Sequence, residues 1–417
     1  MTLQIIPFAS LLVLATLALV KRPPAFIIAV TANCVCCGFS AYWDSINQYD
    51  FCTMESMSFL SVCMCLILLP LLRLDLSAGR FVCPDDRRVR MLALIVIIAT
   101  VPATVYFLQY VGHIFEHDIS ALRIENKMNN AVLSVSILHR LFISCSYLYV
   151  IALGLFVYGF IRQVFSRRVI ILLFVGSLSY PLSGFYLYSR GIMLLYGVTL
   201  FAFAILGFRF CRPELRYRLV RGFVTMALIL SVPFAFITVE RFSDNKEQGL
   251  FEYVGGGPRY FSRIYHHSEY WMKDPSALFL RPFSMLWDKF VDRAPSHERM
   301  LDVYETNKVL TYSEESTDEP SAPFITMCGA LLAEFSESSV LAIHVGLALI
   351  FAWIFGMFRR CMTLPGLMVC GCYLVTAIMY SIGYMYMGTP GNMAFILIAL
   401  SACVLRGGRR EEVEVAP

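Results

Sequence analysis

The chain has 417 residues, of which 58% are hydrophobic and only 15% charged, with a net charge of +4; its mean hydropathy is +0.66. Soluble domains carry about 25% charged residues, so this composition excludes an ordinary soluble enzyme and describes a polytopic membrane protein. The basic residues are divided among short segments rather than gathered on one surface, which excludes a nucleic-acid-binding protein.

A helix needs about 20 mostly apolar residues to cross the hydrocarbon core. Eleven segments qualify: 4–20, 24–43, 56–74, 91–112, 137–161, 169–188, 192–208, 222–240, 338–358, 364–385 and 391–405. The first lacks a basic leading region and a small-x-small cleavage site, so a retained span is expected rather than a signal peptide. The second contains Cys34-Val35-Cys36-Cys37. A metal site and small apolar packing are both open to these thiols; the absence of His or acidic neighbours favours packing. Few of the 14 Cys lie in polar segments, so no disulfide framework is expected.

The connections alternate in character. Lys21-Arg22, Arg73 to Arg90, Arg162 to Arg168, Arg209 to Arg221, Arg359-Arg360 and Arg406 to Arg410 together hold 20 of the 34 Lys and Arg. They fall at every second connection. By the positive-inside rule they are cytoplasmic, which puts the N-terminus outside and the C-terminus inside. Four regions follow: an eight-helix membrane region over 1–240, an extracytoplasmic loop with interfacial helices over 241–337, a three-helix membrane region over 338–405, and a cytoplasmic tail over 406–417.

The remaining connections are external. Asp44–Glu55 is short and acidic. His113–Asn130 spaces apolar residues among charges and reads either as an amphipathic helix on the membrane surface or as a solvated loop with buried anchors. Arg241–Thr326 is the one long polar segment. Within it Ala277–Phe290 is apolar, as an interfacial helix or lid would be, and the acidic run Glu314–Glu319 is a solvated loop. There is no internal repeat, P-loop, dinucleotide fingerprint or metal-ligand spacing, so neither a cofactor nor a metal is expected.

The middles of the spans hold almost no ionisable groups. His344 stands well inside one; a lone His there is more often a hydrogen-bonded packing residue than a proton carrier. An ion-coupled transporter would carry more such groups. Charge gathers instead at the outer face. Arg190 follows a span directly in Ser189-Arg190-Gly191, Arg241 closes the eighth span, and Arg259 and Arg263 lie in the polar segment. Arginine's planar fork of donors suits phosphate oxygens. Arginines at headgroup depth therefore fit a lipid-linked phosphate or diphosphate. Snorkelling, or pairing with Glu240, Glu252 or Asp244, is the competing role.

Gly255-Gly256-Gly257-Pro258 is not expected inside a stable helix. It allows close backbone approach and can present N–H groups to anions or sugar hydroxyls. Tyr253 and Tyr260 beside it are suitable sugar platforms. Candidates for an acid or base are Glu334, Glu252, Asp244, His266 and His267. Glu334, in the apolar run Thr326–Phe335, is suited to accept a proton from a hydroxyl or to pair with an arginine. His266-His267 is an acid–base pair or an exposed loop pair.

Three stretches carry a resemblance: Leu178–Leu200 with its Ser-Arg-Gly junction, Arg241–Phe261, and Thr326–Phe335 with the following span. In order and spacing the chain resembles the bacterial oligosaccharide repeat-unit polymerases, the Wzy-type enzymes of O-antigen and capsule assembly. Ser243 replaces a glycine of that pattern, and Glu334-Phe335-Ser336 stands where Asp-Phe-Gly is usual. The resemblance implies an all-α, GT-C-like membrane fold of about eleven spans with one large external loop. It further implies a metal-independent glycosyltransferase in the bacterial inner membrane, acting on its outer face. Undecaprenyl-diphosphate-linked oligosaccharides would be donor and acceptor. Arg190, Arg241 and Glu334 would be catalytic. Tyr253, Gly255, Gly256, Gly257, Arg259, Tyr260, Arg263, His266 and His267 would bind substrate. Besides the lipid bilayer, a chain-length regulator and a flippase are candidate partners. An O-antigen ligase shares the same frame, loop and arginines and is the alternative enzyme. A lipid-oligosaccharide flippase would need charged residues along mid-membrane helices, the opposite of the pattern here.

Overall fold

The computed structural model describes residues 3, 5–21, 24–47, 53–74, 80–111, 137–186, 190–208, 210–211, 214–225, 228, 255–258, 261–262, 265–266, 326–358, 361–382, 389–405 and 411–413. The segment 113–130, expected as a surface helix or a solvated loop, the apolar segment 277–290 and the acidic run 314–319 lie outside the described residues.

Helices dominate, as the apolar runs require. In chain order they are α1 (Ile5–Lys21), α2 (Pro24–Asn47), α3 (Met54–Leu68, extended by a 3-10 turn to Arg73), α4 (Asp86–Leu108), α5 (Ile137–Ser146), α6 (Tyr149–Arg162), α7 (Arg167–Ser177), α8 (Ser179–Tyr186), α9 (Arg190–Phe208) and α10 (214–225). After the polar segment come α11 (Met327–Glu334), α12 (Glu337–Phe358), α13 (Leu364–Met379) and α14 (Thr389–Leu405). Among the described residues five stretches are long and apolar enough to cross a membrane: Pro24–Tyr42, Met54–Arg73, Asp86–Leu108, Gly191–Phe208 and Glu337–Phe358. The pair Leu138–Ser146 and Tyr149–Arg162, bent by 44° at its break, makes a sixth if it is one span.

The fold is not purely helical. Arg80–Cys83 (β1), Cys361–Thr363 (β2) and Glu411–Val413 (β3) form a small sheet in the order β2-β1-β3, parallel on one side and antiparallel on the other. Phe81 pairs in register with Met362 and Val413. The pairing satisfies backbone groups of connections that an all-α reading leaves as loops. Phe81 and Met362 are buried, and Phe81 packs edge-on against Phe210 at 5.3 Å between ring centroids. These three segments are ones the charge pattern assigns to a common membrane face. Their pairing requires an even number of crossings between each, which that alternation supplies.

The chain divides into two units. Unit one comprises Met1–Asp75, Asn245–Gly356 and Thr376–Asn392; unit two comprises Leu76–Asp244, Met357–Val375 and Met393–Pro417. In unit two, α7 ends at Ser177, so carbonyls of its last turn lack helical donors. Val175 O accepts from the capping Leu178 N at 3.1 Å and from the hydroxyl of Thr104 on α4 at 3.0 Å. Gly176 makes this approach possible, since a Cβ there would run into the Thr100 hydroxyl. Small residues at such crossings are the usual means of close helix packing in membranes. Tyr149 and Tyr180 stack at 4.1 Å nearby, and Tyr196 and Ser177 share a hydrogen bond of 2.8 Å between buried hydroxyls.

Candidate functional site

In unit one the polar segment meets four helix ends. α3 starts with a capping box: Thr53 accepts from Ser56 N, and the Ser56 hydroxyl accepts from Thr53 N. These capping groups also reach the polar segment. Ser56 and Ser262 hydroxyls lie 2.7 Å apart, and Thr53 Oγ1 is 3.0 Å from His266 Nε2. Ser262 is fully buried, Tyr265 nearly so, and His266 exposed. Tyr265 donates its hydroxyl to Glu337 Oε2 at 3.2 Å, and its ring packs against Phe59 at 5.6 Å.

The glycine run corrects the sequence expectation. Residues 255–258 are helical and buried. Packing overrides their poor helix propensity. A Cβ on Gly255 would lie 2.7 Å from Ser40 N, and one on Gly257 would run into the Ser381 carbonyl oxygen. The expected close backbone approach is therefore present, with protein backbone as the neighbour at these two positions.

α11 is capped by Thr326, which accepts from Gly329 N at 3.0 Å, and Met327 N donates to Tyr380 O at 3.3 Å. The turn after α13 is thus a junction. Tyr380 and Ser381 meet α11 and the glycine run through their carbonyls. Asn33 of α2 reaches the same turn: its Nδ2 donates to Ala377 O at 2.8 Å, and its Oδ1 accepts from Ser381 N at 3.0 Å.

Burial, followed by the neighbouring Glu337 and Glu55 carboxylates, pushes the Tyr265 phenol well above its ordinary range. The hydroxyl therefore stays protonated near neutral pH and acts as a donor. With two carboxylates around it, this end of unit one can accept a proton or a hydrogen bond from a hydroxyl. Glu55 and Glu337 were missed as site residues in the sequence because each sits in a short polar cluster beside a span. Only folding brings both to Tyr265.

Of the expected site residues, Gly255, Gly256, Gly257 and His266 are at this end of unit one. Glu334 is the last residue of α11 and Arg190 the first of α9; their side chains lie outside the described set. Tyr253, Arg241, Arg259, Tyr260, Arg263 and His267 lie outside the described residues. His344 is fully buried and hydrogen-bonded, to Val340 O at 2.8 Å and to the Tyr380 hydroxyl at 2.9 Å.

The architecture is that of a helical protein with several helices able to cross a membrane. Comparison with protein-family models, curated proteins and solved structures finds no match for this chain.

Proposed function

We propose that the chain is an eleven-span inner-membrane glycosyltransferase that joins undecaprenyl-diphosphate-linked oligosaccharide repeat units into a surface polysaccharide. The observation that carries this reading is the seating of the polar segment on helix ends beside Tyr265, Glu337 and Glu55. Charge alternation assigns those ends to the outer face, where such lipid-linked sugars are polymerised. Proton acceptors and sugar-sized polar groups there suit attack by a hydroxyl of the incoming unit on the anomeric carbon of the growing chain. That bond to the diphosphate breaks, the diphosphate lipid leaves, and the hydroxyl proton passes to a carboxylate. Glu337 and Glu55 are the carboxylates proposed for this; Glu334 is the other candidate.

Arg190 and Arg241 are the proposed partners of the diphosphate, stabilising charge that develops on the leaving group. The test is a gel of surface polysaccharide from a deletion strain carrying the wild-type, Arg190→Ala or Arg241→Ala gene. The expected result is single repeat units without a ladder in the deletion and in both variants. A normal ladder in either variant removes that arginine from the mechanism. Loss of even single repeats in the deletion strain would replace the reading by a ligase or flippase.

A further inference from the structure

Three buried side chains far apart in sequence meet in unit one: Cys63 on α3, Cys328 in the first turn of α11 and His344 on α12. All three are fully buried, and each offers a sulfur or ring nitrogen within 4.8 Å of the others. No ligand spacing reveals this grouping in the sequence, since the residues come from three separate segments.

We propose that Cys63, Cys328 and His344 bind one zinc ion that fastens α11 to α3 and α12.

The imidazole is prepared for a metal. Its Nδ1 lies 2.8 Å from Val340 O. A carbonyl can only accept, so Nδ1 carries the proton and Nε2 presents its lone pair. A second-sphere hydrogen bond of this kind fixes the tautomer and ring orientation of metal-bound histidines. Nε2 now accepts from the Tyr380 hydroxyl at 2.9 Å. An ion that takes the lone pair displaces that hydroxyl.

The distances are suitable. Zinc binds sulfur at about 2.3 Å and imidazole nitrogen at about 2.0–2.1 Å, which places tetrahedral ligand atoms roughly 3.5–3.8 Å apart. A contraction of about 1 Å from the present limit closes the site. The donor set decides the metal. Thiolate and imidazole are ligands for zinc and copper(I), whereas magnesium and calcium require oxygen. Charge then separates the remaining two. Zinc(II) with two thiolates and a neutral imidazole is neutral, but copper(I) would leave a net negative charge. An uncompensated charge in a buried apolar site is costly. Binding releases two protons, one from each thiol, and needs no oxidant or reductant.

The ion would act structurally. α11 has only eight residues, and a helix that short is not stable alone. Its cap, Thr326, abuts Gly257, and its last residue is Glu334. Zinc would fix this helix between the glycine run and the start of α12. The inference rests on the three ligands and not on the reaction proposed above.

The test uses the full chain, purified in detergent without chelator and analysed for metals. About one zinc per chain is expected. It should fall at least tenfold in Cys63→Ala, Cys328→Ala and His344→Gln, and stay unchanged in the control Cys403→Ala. Since a ligand variant can misfold, a second measurement uses wild-type protein stripped of metal and titrated with cobalt(II) chloride. An intense near-ultraviolet sulfur-to-cobalt charge-transfer band at one equivalent is expected, reversed by added zinc. A wild-type protein that holds no zinc and gives no such band would overturn the proposal. So would zinc retained in both cysteine variants, or a Cys63–Cys328 disulfide in the mass spectrum of the unreduced protein.

Discussion

The side-chain amide of Asn33 replaces a helical hydrogen bond of Ser381. In a continuing α13, Ser381 N would donate to Ala377 O, four residues earlier. Instead Ser381 N donates to Asn33 Oδ1 at 3.0 Å, and Ala377 O receives Asn33 Nδ2 at 2.8 Å. One amide therefore satisfies both halves of the broken bond, and α13 ends at Met379 without an orphaned group at that step. The released turn supplies the Tyr380 and Ser381 carbonyls that meet α11 and the glycine run.

Asn33→Ala should accordingly leave a buried N–H and a buried carbonyl without these partners. An unsatisfied buried group costs about 1–3 kcal/mol, and hydrogen bonds between helices in membranes average nearer 0.6 kcal/mol. A loss of about 1–3 kcal/mol is expected, measured by unfolding in mixed micelles. Asn33→Asp keeps the acceptor but loses the donor and buries a carboxyl group, so it should be at least as destabilising. Stability unchanged in Asn33→Ala would mean that the turn re-forms its own i to i−4 bond.

The Tyr265–Glu337 contact predicts a pH effect. The phenol is raised in the folded protein, so its contribution is fully present below the unfolded tyrosine value of about 10 and is lost as pH rises above it. Wild-type protein should lose thermal stability from about pH 10 upward, and Tyr265→Phe should lose less over that interval. At neutral pH the same variant should be less stable by about 0.5–1.5 kcal/mol, the worth of one hydrogen bond. Identical pH slopes for wild type and variant would show that Tyr265 does not titrate differently on folding.

The glycines separate propensity from space. Alanine is favoured over glycine in a helix by up to about 1 kcal/mol, so Gly→Ala should stabilise wherever there is room. At Gly222, with nothing within 4 Å of the added carbon, the change should be neutral or stabilising. At Gly257 and Gly255 the carbon would meet backbone of Ser381 and Ser40, which cannot turn aside as a side chain can. Overpacking costs about 1–3 kcal/mol, and both variants should unfold earlier than wild type in a thermal-shift assay.

How far the fold was legible follows from the same residues. Apolar runs located the helices because hydrophobic length is a local property. Helix occupies ten of the eleven expected segments, while of the eighth only 222–225 and 228 are described; among the described residues, composition and length support five or six spans. The bend between α5 and α6 was not legible, since no proline marks it, whereas the break at Leu178 had a local signal in Pro181, which has no N–H to offer Ser177 O. The sheet was missed because its three- and four-residue strands acquire meaning only when 80–83, 361–363 and 411–413 pair. Gly255–Pro258 misled by propensity: tertiary contact with Ser381 and Ser40 holds these residues in helix. Asn33, Glu55, Glu337 and the Cys63–Cys328–His344 group depend on contacts between distant segments, and no local pattern encodes them.

The sheet and the Ser262–Tyr265 stretch together permit a topology test that needs no assumption about the reaction. Asp85 adjoins β1 and Glu412 lies within β3, paired with Val82, so residues at both positions must share one side of the membrane. His266, beside Thr53 at the start of α3, should be on the opposite side, because the one span-length helix Met54–Arg73 separates it from β1. Cysteines introduced one at a time at Asp85, Glu412 and His266 should divide accordingly when intact cells receive a membrane-impermeant maleimide. With the basic connections inside, His266→Cys reacts in intact cells, whereas Asp85→Cys and Glu412→Cys react only after lysis. The reverse pattern would invert the orientation but keep the fold. Different behaviour at Asp85 and Glu412 would rule out the sheet, because paired strands cannot lie on opposite sides of a bilayer.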